Sequence, residues 1–404
     1  MKTNFKADFP LLCSQDIAYL DNSATAQRPQ CVLDAVQDFY LHHNANPLRG
    51  FYDLAAEATD AYEDARDCVR DFIHARKSAE IIFTRNTSES VNLVAYSYGL
   101  NFLKPGDEIL ITIAEHHSNM LPWQMVAEKT GATLRYLDCD QNGFYSDEAI
   151  RAAVTPNTKF AAIQQVSNVL GGITPIDKII PLVHANGGVV LIDGAQSAPH
   201  MAVDVQAMDA DFFVFSGHKM MAPFGIGVLY GKLALLKKMP PFLRGGEMIE
   251  SVTREGAKFA ALPHKFEAGT VNAGDAAGLA AAIGYINAIG FETIEAREQE
   301  LTRYAFSKMA AIPGVHIVGS PNADDHHGIL SFLVDDVHPH DISAILNEDG
   351  VCIRAGHHCA QPLLTHLGIS SCTRASIAFY NTEEDIDRLI ASLASVRRKM
   401  GYGD

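Results

Sequence analysis

The sequence predicts an α/β protein with a large domain built around a mostly parallel sheet. Between residues 80 and 231, short apolar runs alternate with helical patterns, and the runs lack the polar alternation of half-exposed strands. Strands that are buried on both faces have such runs, and strand–helix alternation is typical of parallel sheets. After about residue 275 the chain has two long helical patterns and then mixed strands and helices, which predicts a smaller α+β domain.

Six apolar runs are the predicted strands of the large domain. They are AEIIFT ending at Thr84, DEILITIAEHH around Ile111, TKFAAIQQVSN around Ile163, GGVVLIDGAQS around Ile192, DFFVFSGHK around Val214 and GIGVLYG around Val228. Helical patterns lie between several of these runs, for example SESVNLVAYSYGLNFL and IDKIIPLVHANG. This order of elements is the one expected for βαβ units.

The C-terminal region begins with two predicted helices, DAAGLAAAIGYINAIG and FETIEAREQELTRYAFSKMAAI. Strands are then predicted at GILSFLV and CIRAG, and helices at HPHDISAILNEDG and TEEDIDRLIASLASVRRKM. A chain of 404 residues has room for two domains, since domains mostly run about 100–200 residues. We place the large domain at residues 15–275 and build the small domain from residues 1–14 and 276–404.

The composition limits the classes of partner and site. The net charge of −16 disfavours nucleic acid or an anionic membrane as the main partner. The sequence has neither a signal-peptide pattern nor an apolar span of about 18 residues, so we expect a cytoplasmic protein. The seven cysteines are scattered, odd in number and without a C-x-x-C pair, which disfavours a disulfide framework and a cysteine-only zinc site.

Polar residues follow the predicted strands, where α/β proteins bind their ligands. They include Thr87 and Ser88, His116, Asn168, Asp193 and Gln196, and Ser216, His218 and Lys219. Since the carboxyl ends of parallel strands share one edge of the sheet, these groups are expected to surround one ligand.

Lys219 and Asp193 are the most informative of these residues. A lysine is seldom buried without a partner or a function, and a desolvated amine can bond covalently to a carbonyl compound. The alternative is a surface lysine that ends the strand. Asp193 follows an apolar run, so its carboxylate needs a partner such as a metal, a helix N-terminus or a pyridinium nitrogen. A structural aspartate is the alternative there.

Thr87, Ser88 and His116 have ordinary alternatives as well. Hydroxyls at a helix start form an anion site suited to phosphate, but many helices simply begin with Ser or Thr. His116 is able to stack on a ring or move protons, although a lone histidine is more often held by hydrogen bonds. No metal-binding spacing of the H-E-x-x-H kind occurs, so we expect no metal site.

Cys359 lies in RAGHHCAQP, a stretch too rich in Gly and Pro for regular structure. It could be a metal ligand, an incidental cysteine or a nucleophile. A Gly-rich loop is expected to expose it, and nearby Arg354 and His358 would favour its thiolate. From composition alone an incidental cysteine is the better interpretation, and we keep that interpretation for Cys372.

Taken together, SGHK, DGAQ, EHHSN and RAGHHCAQPL resemble the SufS-type cysteine desulfurases of the class V aminotransferase-like group. The resemblance runs from AYLDNSATAQRP to RASIAFYNTEEDIDRL. It implies the type I fold of pyridoxal 5'-phosphate (PLP) transferases, with a mostly parallel seven-stranded sheet, and a homodimer. The implied reaction converts L-cysteine into L-alanine and a Cys359 persulfide that supplies iron–sulfur cluster assembly in the SUF system. The alternative is a selenocysteine lyase or another class V PLP enzyme.

The resemblance also implies roles for individual residues. Lys219 would bond to PLP and act as the base, Asp193 would pair with its ring nitrogen, and Gln196 would bond its hydroxyl. His116 would stack on the ring. The implied phosphate contacts are Thr87, Ser88, Ser216, His218 and, from a second subunit, Thr270. The implied substrate contacts are Asn168, Arg354 and Arg374.

Two features concern partners. DDVHPHD and GGEMI are similar to the branch that works with a zinc-containing SufU-like sulfur acceptor, so His338 and His340 are candidate contacts with that zinc site. An exposed helix start is the alternative. Leu48 and Tyr52 replace two histidines of the family pattern, which puts any partner role of those positions in doubt. A non-catalytic protein on this scaffold would have lost Lys219 or Asp193, and both are present.

Overall fold

The structure, a computed structural model, describes residues 4–402. Its strands are β1 (Ala18–Tyr19), β2 (Ile81–Thr84), β3 (Glu108–Thr112), β4 (Thr133–Leu137), β5 (Thr158–Gln164), β6 (Val189–Asp193), β7 (Phe212–Ser216), β8 (Gly227–Gly231), β9 (Ile249–Val252), β10 (Ala257–Phe259), β11 (Val315–Ile317), β12 (Ile329–Val334), β13 (Val351–Cys352), β14 (Arg354–Gly356) and β15 (Cys372–Ser376). Its α-helices are α1 (Pro10–Ser14), α2 (Gln30–His42), α3 (Asp53–Phe72), α4 (Thr87–Val94), α5 (Leu100–Phe102), α6 (Leu121–Thr130), α7 (Asp147–Ala153), α8 (Ile176–Ala185), α9 (Leu233–Lys238), α10 (Ala273–Ile289), α11 (Phe291–Ala310), α12 (Pro339–Glu348), α13 (Gln361–His366), α14 (Glu383–Leu393) and α15 (Val396–Lys399).

A seven-stranded sheet in the order β2-β8-β7-β6-β5-β3-β4 forms the centre of the larger part. Strand β8 is antiparallel to both of its neighbours, and the remaining pairs are parallel. The predicted α/β class with a mostly parallel sheet is confirmed, and all six predicted strands are present. Strand β4 was not predicted because it lies at the sheet edge and is largely exposed, so its sequence TLRYL is not a continuous apolar run.

The sheet has a hydrophobic core on each face, which explains its unbroken apolar strands. On β6, Val190 and Ile192 belong to one core and Leu191 to the other. Alternate residues of a strand point to opposite faces, so both sets must be apolar. Helices α2, α3, α8 and α10 contribute to the first core, and α4 and α6 to the second.

The C-terminal part contains an antiparallel four-stranded sheet in the order β11-β12-β15-β14. It shares a core with α11, α12 and α14, and Ala18 and Leu20 of the N-terminal segment join this core. The predicted strand CIRAG is divided, because β13 pairs with β1 while β14 pairs with β15. The domain limits stay a prediction, and residues 1–3 and 403–404 of the proposed small domain lie outside the described residues.

The two long helices α10 and α11 were predicted correctly and meet at Gly290, whose φ is 84°. This left-handed conformation is accessible to glycine without strain. Within residues 4–402, no single helix meets the length and hydropathy criteria for crossing a membrane. The pair α10 and α11 meets them only jointly, with a bend of 79°, and the apolar side of α10 belongs to the protein core.

Candidate active site

The polar residues that follow the sheet strands converge on a cavity of about 290 Å³. The strand register explains this convergence, because Gln164 pairs with Asp193 and Asp193 with Val214. The predicted site residues that line the cavity are Thr87, Ser88, His116, Asn168, Asp193, Gln196, Ser216, His218, Lys219, Arg354, Cys359 and Arg374. Other lining residues, which the sequence did not single out for this site, are Ser23, Ala24, Asn86, Ser118, Gln164, Val166 and Ala195.

Lys219 ends a short 3-10 turn, Gly217–Lys219, directly after β7. The turn requires glycine at position 217, because a Cβ there would lie 2.9 Å from the backbone oxygen of Ile226. Burial lowers the pKa of the Lys219 amine to about 8, although the charge of Asp193 opposes this shift. An appreciable fraction of the amine is therefore unprotonated near neutral pH, as a nucleophile toward a carbonyl carbon requires.

Asp193 is buried at the end of β6, where its Oδ1 accepts a hydrogen bond of 2.9 Å from the N–H of Ala195. Burial raises the pKa of this carboxyl group, and the positive charge of Lys219 lowers it in part. Gln196 donates from Nε2 to the backbone oxygen of Ser23 at 2.9 Å. Its buried Oε1 has no hydrogen-bond partner among residues 4–402, which marks it as available to a ligand group that donates a hydrogen bond.

His116 and His218 are both neutral at physiological pH. Burial, followed by the nearby charge of Lys219, lowers the pKa of His116 to about 3 and that of His218 to about 4. Nδ1 of His116 accepts a hydrogen bond of 3.1 Å from the N–H of Ser118, so the ring proton is on Nε2. The buried Nδ1 of His218 forms no hydrogen bond with any residue that the structure describes.

Helix α4 begins at the cavity, and its cap is Asn86. The side chain of Asn86 accepts from the N–H of Glu89. Thr87 and Ser88 are therefore the first helical residues, and their hydroxyls are not used to cap the helix. Oγ1 of Thr87 lies 2.7 Å from Oγ of Ser216, and Oγ of Ser88 lies 2.6 Å from Oγ of Ser118. A helix N-terminus surrounded by hydroxyls is suited to an anion such as phosphate.

Arg374 approaches the cavity from β15 of the C-terminal sheet. Its Nη1 donates to the backbone oxygen of Asn168 at 2.8 Å, and its Nη2 lies 3.4 Å from Oδ1 of Asp21. In the described part of the chain, the buried Nε of Arg374 has no hydrogen-bond partner. Burial lowers the pKa of this guanidinium to about 10, which leaves it positively charged at neutral pH. Arg374 is thus able to bind a carboxylate.

Cys359 lies in the loop between β14 and α13 and is exposed. Both His358 and Cys359 have left-handed φ values, of 51° and 55°, which are unfavourable for residues other than glycine. Two hydrogen bonds of 2.7 Å hold this conformation. The N–H of His117 donates to the backbone oxygen of Cys359, and Nδ2 of Asn168 donates to that of His358.

His358 does not supply the positive charge near Cys359 that the sequence suggested. It is buried, and this burial lowers its pKa to about 3, with Arg374 adding to the shift. Its Nε2 donates to the backbone oxygen of Cys372 at 2.9 Å. His358 is therefore a neutral residue that holds the loop, and Arg354, at the start of β14, is the cation nearby.

This burial of His358 predicts a specific loss of stability in acid. A histidine has an unfolded pKa of about 6.5, so between this pH and the folded pKa of about 3 the unfolded chain binds more protons. The free energy of unfolding should fall as the pH decreases through this range, and by pH 4.5 the loss is about 2–3 kcal/mol. Above pH 6.5 the imidazole of His358 adds no pH dependence to the free energy of unfolding.

Urea unfolding at several pH values measures this loss. His358→Gln keeps a donor for the oxygen of Cys372 but cannot titrate, so its stability should fall less steeply between pH 6.5 and 4.5 than that of the wild type. His42→Gln, at an exposed site on α2, is the control and should follow the wild type. If the free energy of unfolding fell equally steeply with pH in His358→Gln and the wild type, His358 would not be the group whose low pKa causes the loss.

Glu115 is a functional candidate that the sequence analysis missed. It is completely buried, and burial raises its pKa to about 8. The oxygens of its carboxyl group accept hydrogen bonds from Thr112, Asn119 and the backbone N–H of Gln164, which holds the turn that carries His116. The only sequence signal was its position immediately before His116, and charge pattern alone does not reveal burial.

Several predicted residues lie away from the cavity. Thr270 lines a separate cavity of about 470 Å³, and its expected role depends on a second subunit. His338 and His340 are exposed at the start of α12, with ring centres 5.0 Å apart. Cys372 is buried. In residues 4–402, no group of three or more His, Cys, Asp and Glu side chains is arranged to hold a metal.

Comparison with known proteins agrees with this geometry. Residues 18–389 match the model of the family described as aminotransferase class-V. A protein of Halalkalibacterium halodurans named "Probable cysteine desulfurase" is 47% identical over 98% of this chain and 97% of its own length. The solved structure of a cysteine desulfurase of Thermococcus onnurineus is 40% identical, with a TM-score of 0.94 over 98% of this chain and 97% of its own. That of the cysteine desulfurase CsdA of Escherichia coli is 39% identical, with a TM-score of 0.91 over 98% of each chain. The chain therefore belongs to the class-V aminotransferase family and, within it, groups with the cysteine desulfurases.

Proposed function

We propose that this protein is a PLP-dependent cysteine desulfurase that converts L-cysteine into L-alanine and leaves the sulfur as a persulfide on Cys359. The observation that carries this proposal is that Lys219, Asp193 and Cys359 line one cavity. A cysteine is not needed in an aminotransferase site, whereas a desulfurase requires a thiol that can attack sulfur. The relatives named as cysteine desulfurases support the same activity.

The cavity residues fit PLP on grounds that do not depend on the relatives. Within the described part of the chain, no side-chain cation bonds to the buried carboxylate of Asp193, which leaves it free to pair with a pyridinium nitrogen. The unpartnered atoms of Gln196 and His218 are available to polar groups of the cofactor, and Thr87, Ser88 and Ser216 provide hydroxyls beside the α4 N-terminus for its phosphate. When bound through Lys219, PLP supplies an electron sink for the substrate carbon.

The protein residues have separate tasks in this reaction. Arg374 binds the substrate carboxylate through the free Nε, and its bond to Asn168 keeps the guanidinium in place. Lys219, with a pKa of about 8, moves the proton of the substrate α-carbon. Neutral His116 lines the same cavity and holds a proton on Nε2, since its Nδ1 accepts from Ser118.

Cys359 completes the sulfur transfer. Its thiolate attacks the substrate sulfur, so that an S–S bond forms while the C–S bond breaks. The electron pair of the broken bond stays with carbon, which takes up a proton and becomes the methyl group of alanine. The left-handed loop presents this thiol at the cavity and to solvent, where an acceptor can collect the sulfur.

A product assay tests the proposed activity. PLP-loaded protein given L-cysteine and a reductant should release alanine and sulfide in equal amounts, and without reductant the Cys359 peptide should gain one sulfur atom. Formation of pyridoxamine phosphate instead of alanine and sulfide would indicate an aminotransferase. L-Selenocysteine in the same assay tests the alternative of a selenocysteine lyase, which requires a strong preference for selenium.

We further propose that the protein is a cytoplasmic homodimer of a SUF system and passes sulfur to a SufU-like zinc protein for iron–sulfur cluster assembly. The position of Thr270 outside the Lys219 cavity supports the dimer, because this residue could reach a cofactor only in another copy. The exposed imidazoles of His338 and His340 support the acceptor, because imidazole is a good zinc ligand.

His340→Ala tests the acceptor proposal. We expect the complex with a zinc-loaded SufU-like protein to weaken at least about tenfold, as for a residue at the centre of an interface, while cysteine turnover with a small reductant is retained. Calorimetry with and without a zinc chelator measures the complex. His316→Ala, at an exposed histidine on β11, is the matched control. Unchanged affinity in His340→Ala would remove the support for a zinc contact.

A further inference from the structure

His117 holds the Cys359 loop from the turn that also carries His116. It begins the 3-10 turn His117–Asn119. Its backbone N–H donates to the oxygen of Cys359 at 2.7 Å, and its Nε2 accepts a hydrogen bond of 3.2 Å from the N–H of Gln361. One residue therefore contacts the loop at the nucleophile and again just beyond it.

The contact with Gln361 supplies a cap that helix α13 does not have locally. Helix N-termini leave backbone N–H groups without a partner in the helix, and a nearby side chain usually accepts one of them. Gln361 is the first residue of α13, and the residue before it, Ala360, forms no side-chain cap because it has only a methyl group. The imidazole of His117, 244 residues away in the chain, takes the place of the local cap.

The imidazole of His117 is in the state that this contact needs. Only a ring nitrogen without a proton can accept a hydrogen bond. Burial, followed by the proximity of His357, lowers the pKa of His117, so the ring is neutral at physiological pH and its proton is on Nδ1. The ring is not among the groups that line the Lys219 cavity, so His117 acts on the reaction only through the loop.

We propose that His117 is a positioning residue for the Cys359 nucleophile, because its imidazole caps α13 and thereby fixes the loop that presents the thiol. The loop needs such a restraint, since His358 and Cys359 both have left-handed φ values, which are unfavourable for residues other than glycine. A thiol that attacks sulfur must also lie within a narrow range of positions, and small displacements of a reacting group slow a reaction strongly. The inference rests on the proposed function only in taking Cys359 as the nucleophile.

Hydrogen exchange of the Cys359 loop tests the contact without reference to catalysis. In PLP-loaded His117→Ala, the peptide that contains residues 357–361 should exchange its amide protons at least about threefold faster than in the wild type, as expected for the loss of a helix cap. His117→Gln keeps an acceptor at the end of its side chain and should exchange at the wild-type rate. Both variants keep the backbone N–H at position 117, so the difference between them reports on the side chain alone.

Sulfur transfer gives the second measurement. In His117→Ala, kcat for persulfide formation on Cys359 should fall about 10–100-fold, while KM for L-cysteine should change less than about twofold, because the substrate contacts are intact. His117→Gln should recover most of the lost kcat.

His366→Ala is the matched control. It removes a hydrogen bond of 2.7 Å between Nε2 of His366, at the other end of α13, and the backbone oxygen of Cys139. Because this bond does not involve the Cys359 loop, the variant should leave both the loop exchange and kcat unchanged.

The outcomes separate this inference from the proposed function. If the wild type forms no Cys359 persulfide, the proposed function fails, and the positioning role fails with it even if the exchange data show that His117 holds the loop. Wild-type exchange in His117→Ala, or faster exchange with unchanged kcat, would overturn the positioning role alone. A glutamine variant as impaired as the alanine variant would overturn it as well, since the hydrogen bond would not be the cause. If His117→Ala does not fold, His117→Phe, which keeps a ring without an acceptor, must show the same two effects.

Discussion

Lys219→Ala should abolish covalent attachment of PLP and reduce alanine formation from L-cysteine by at least about 10⁴-fold. The loss exceeds the range of about 10²–10⁴-fold that is typical for one proton-transfer group, because the same amine both bonds to the cofactor and moves the substrate proton. Borohydride treatment followed by mass spectrometry measures the attachment, and it should locate the modification on Lys219 in the wild type.

Two further variants sharpen this test. Lys219→Arg keeps a positive charge beside Asp193 but should not bond to PLP, so it should be as inactive as the alanine variant. Lys265→Met is the matched control, because burial also lowers the pKa of Lys265 and the residue lies outside the cavity. If Lys219→Arg retained appreciable activity, a purely electrostatic role would replace the covalent one.

Cys359→Ala should keep PLP attachment and lose sulfur transfer from L-cysteine by more than about 10³-fold, since loss of a nucleophile costs at least as much as loss of a proton-transfer group. The thiol is the group that attacks the substrate sulfur, and no other cysteine lines the cavity within the described part of the chain. Sulfide and alanine are both quantified, together with the persulfide on the protein.

Cys31→Ala is the control for loss of an exposed thiol, because Cys31 is exposed on α2. This variant should form the persulfide at the wild-type rate. Unchanged release of sulfide and alanine by Cys359→Ala would rule out Cys359 as the obligatory sulfur acceptor. A loss of PLP attachment in the same variant would instead indicate damage to the cavity.

Much of the fold was predictable because the relevant signals are local. The strands β5, β6 and β7 are buried along their whole length, so each is an apolar run in the sequence. The edge strand β4 and the strands β1, β9, β10, β11 and β15 were missed. Strand β15 has the polar sequence CTRAS, and its burial results from packing against residues far away in the chain.

The site was predictable where a residue type and its neighbours carry the signal. Lys219 and Asp193 stood out because a charged residue directly after an apolar strand needs an explanation, and the cavity contains both. Asp21 and Glu115 gave no such signal. The ion pair of Asp21 with Arg354 joins residues that are 333 positions apart in the chain, and Glu115 is enclosed by three partners that only the fold brings to it.

By itself, the sequence determined the class of fold and the motif residues, because strand burial and residue chemistry are local properties of the chain. Tertiary structure alone decided which charges meet and which side chains lose water. It paired Asp21 with two arginines, buried His358 in a neutral state and placed Thr270 outside the cavity of Lys219. The physical reason is that desolvation and ion pairing depend on distances in space, and contacts such as those of Asn168 with His358 and Arg374 set these distances.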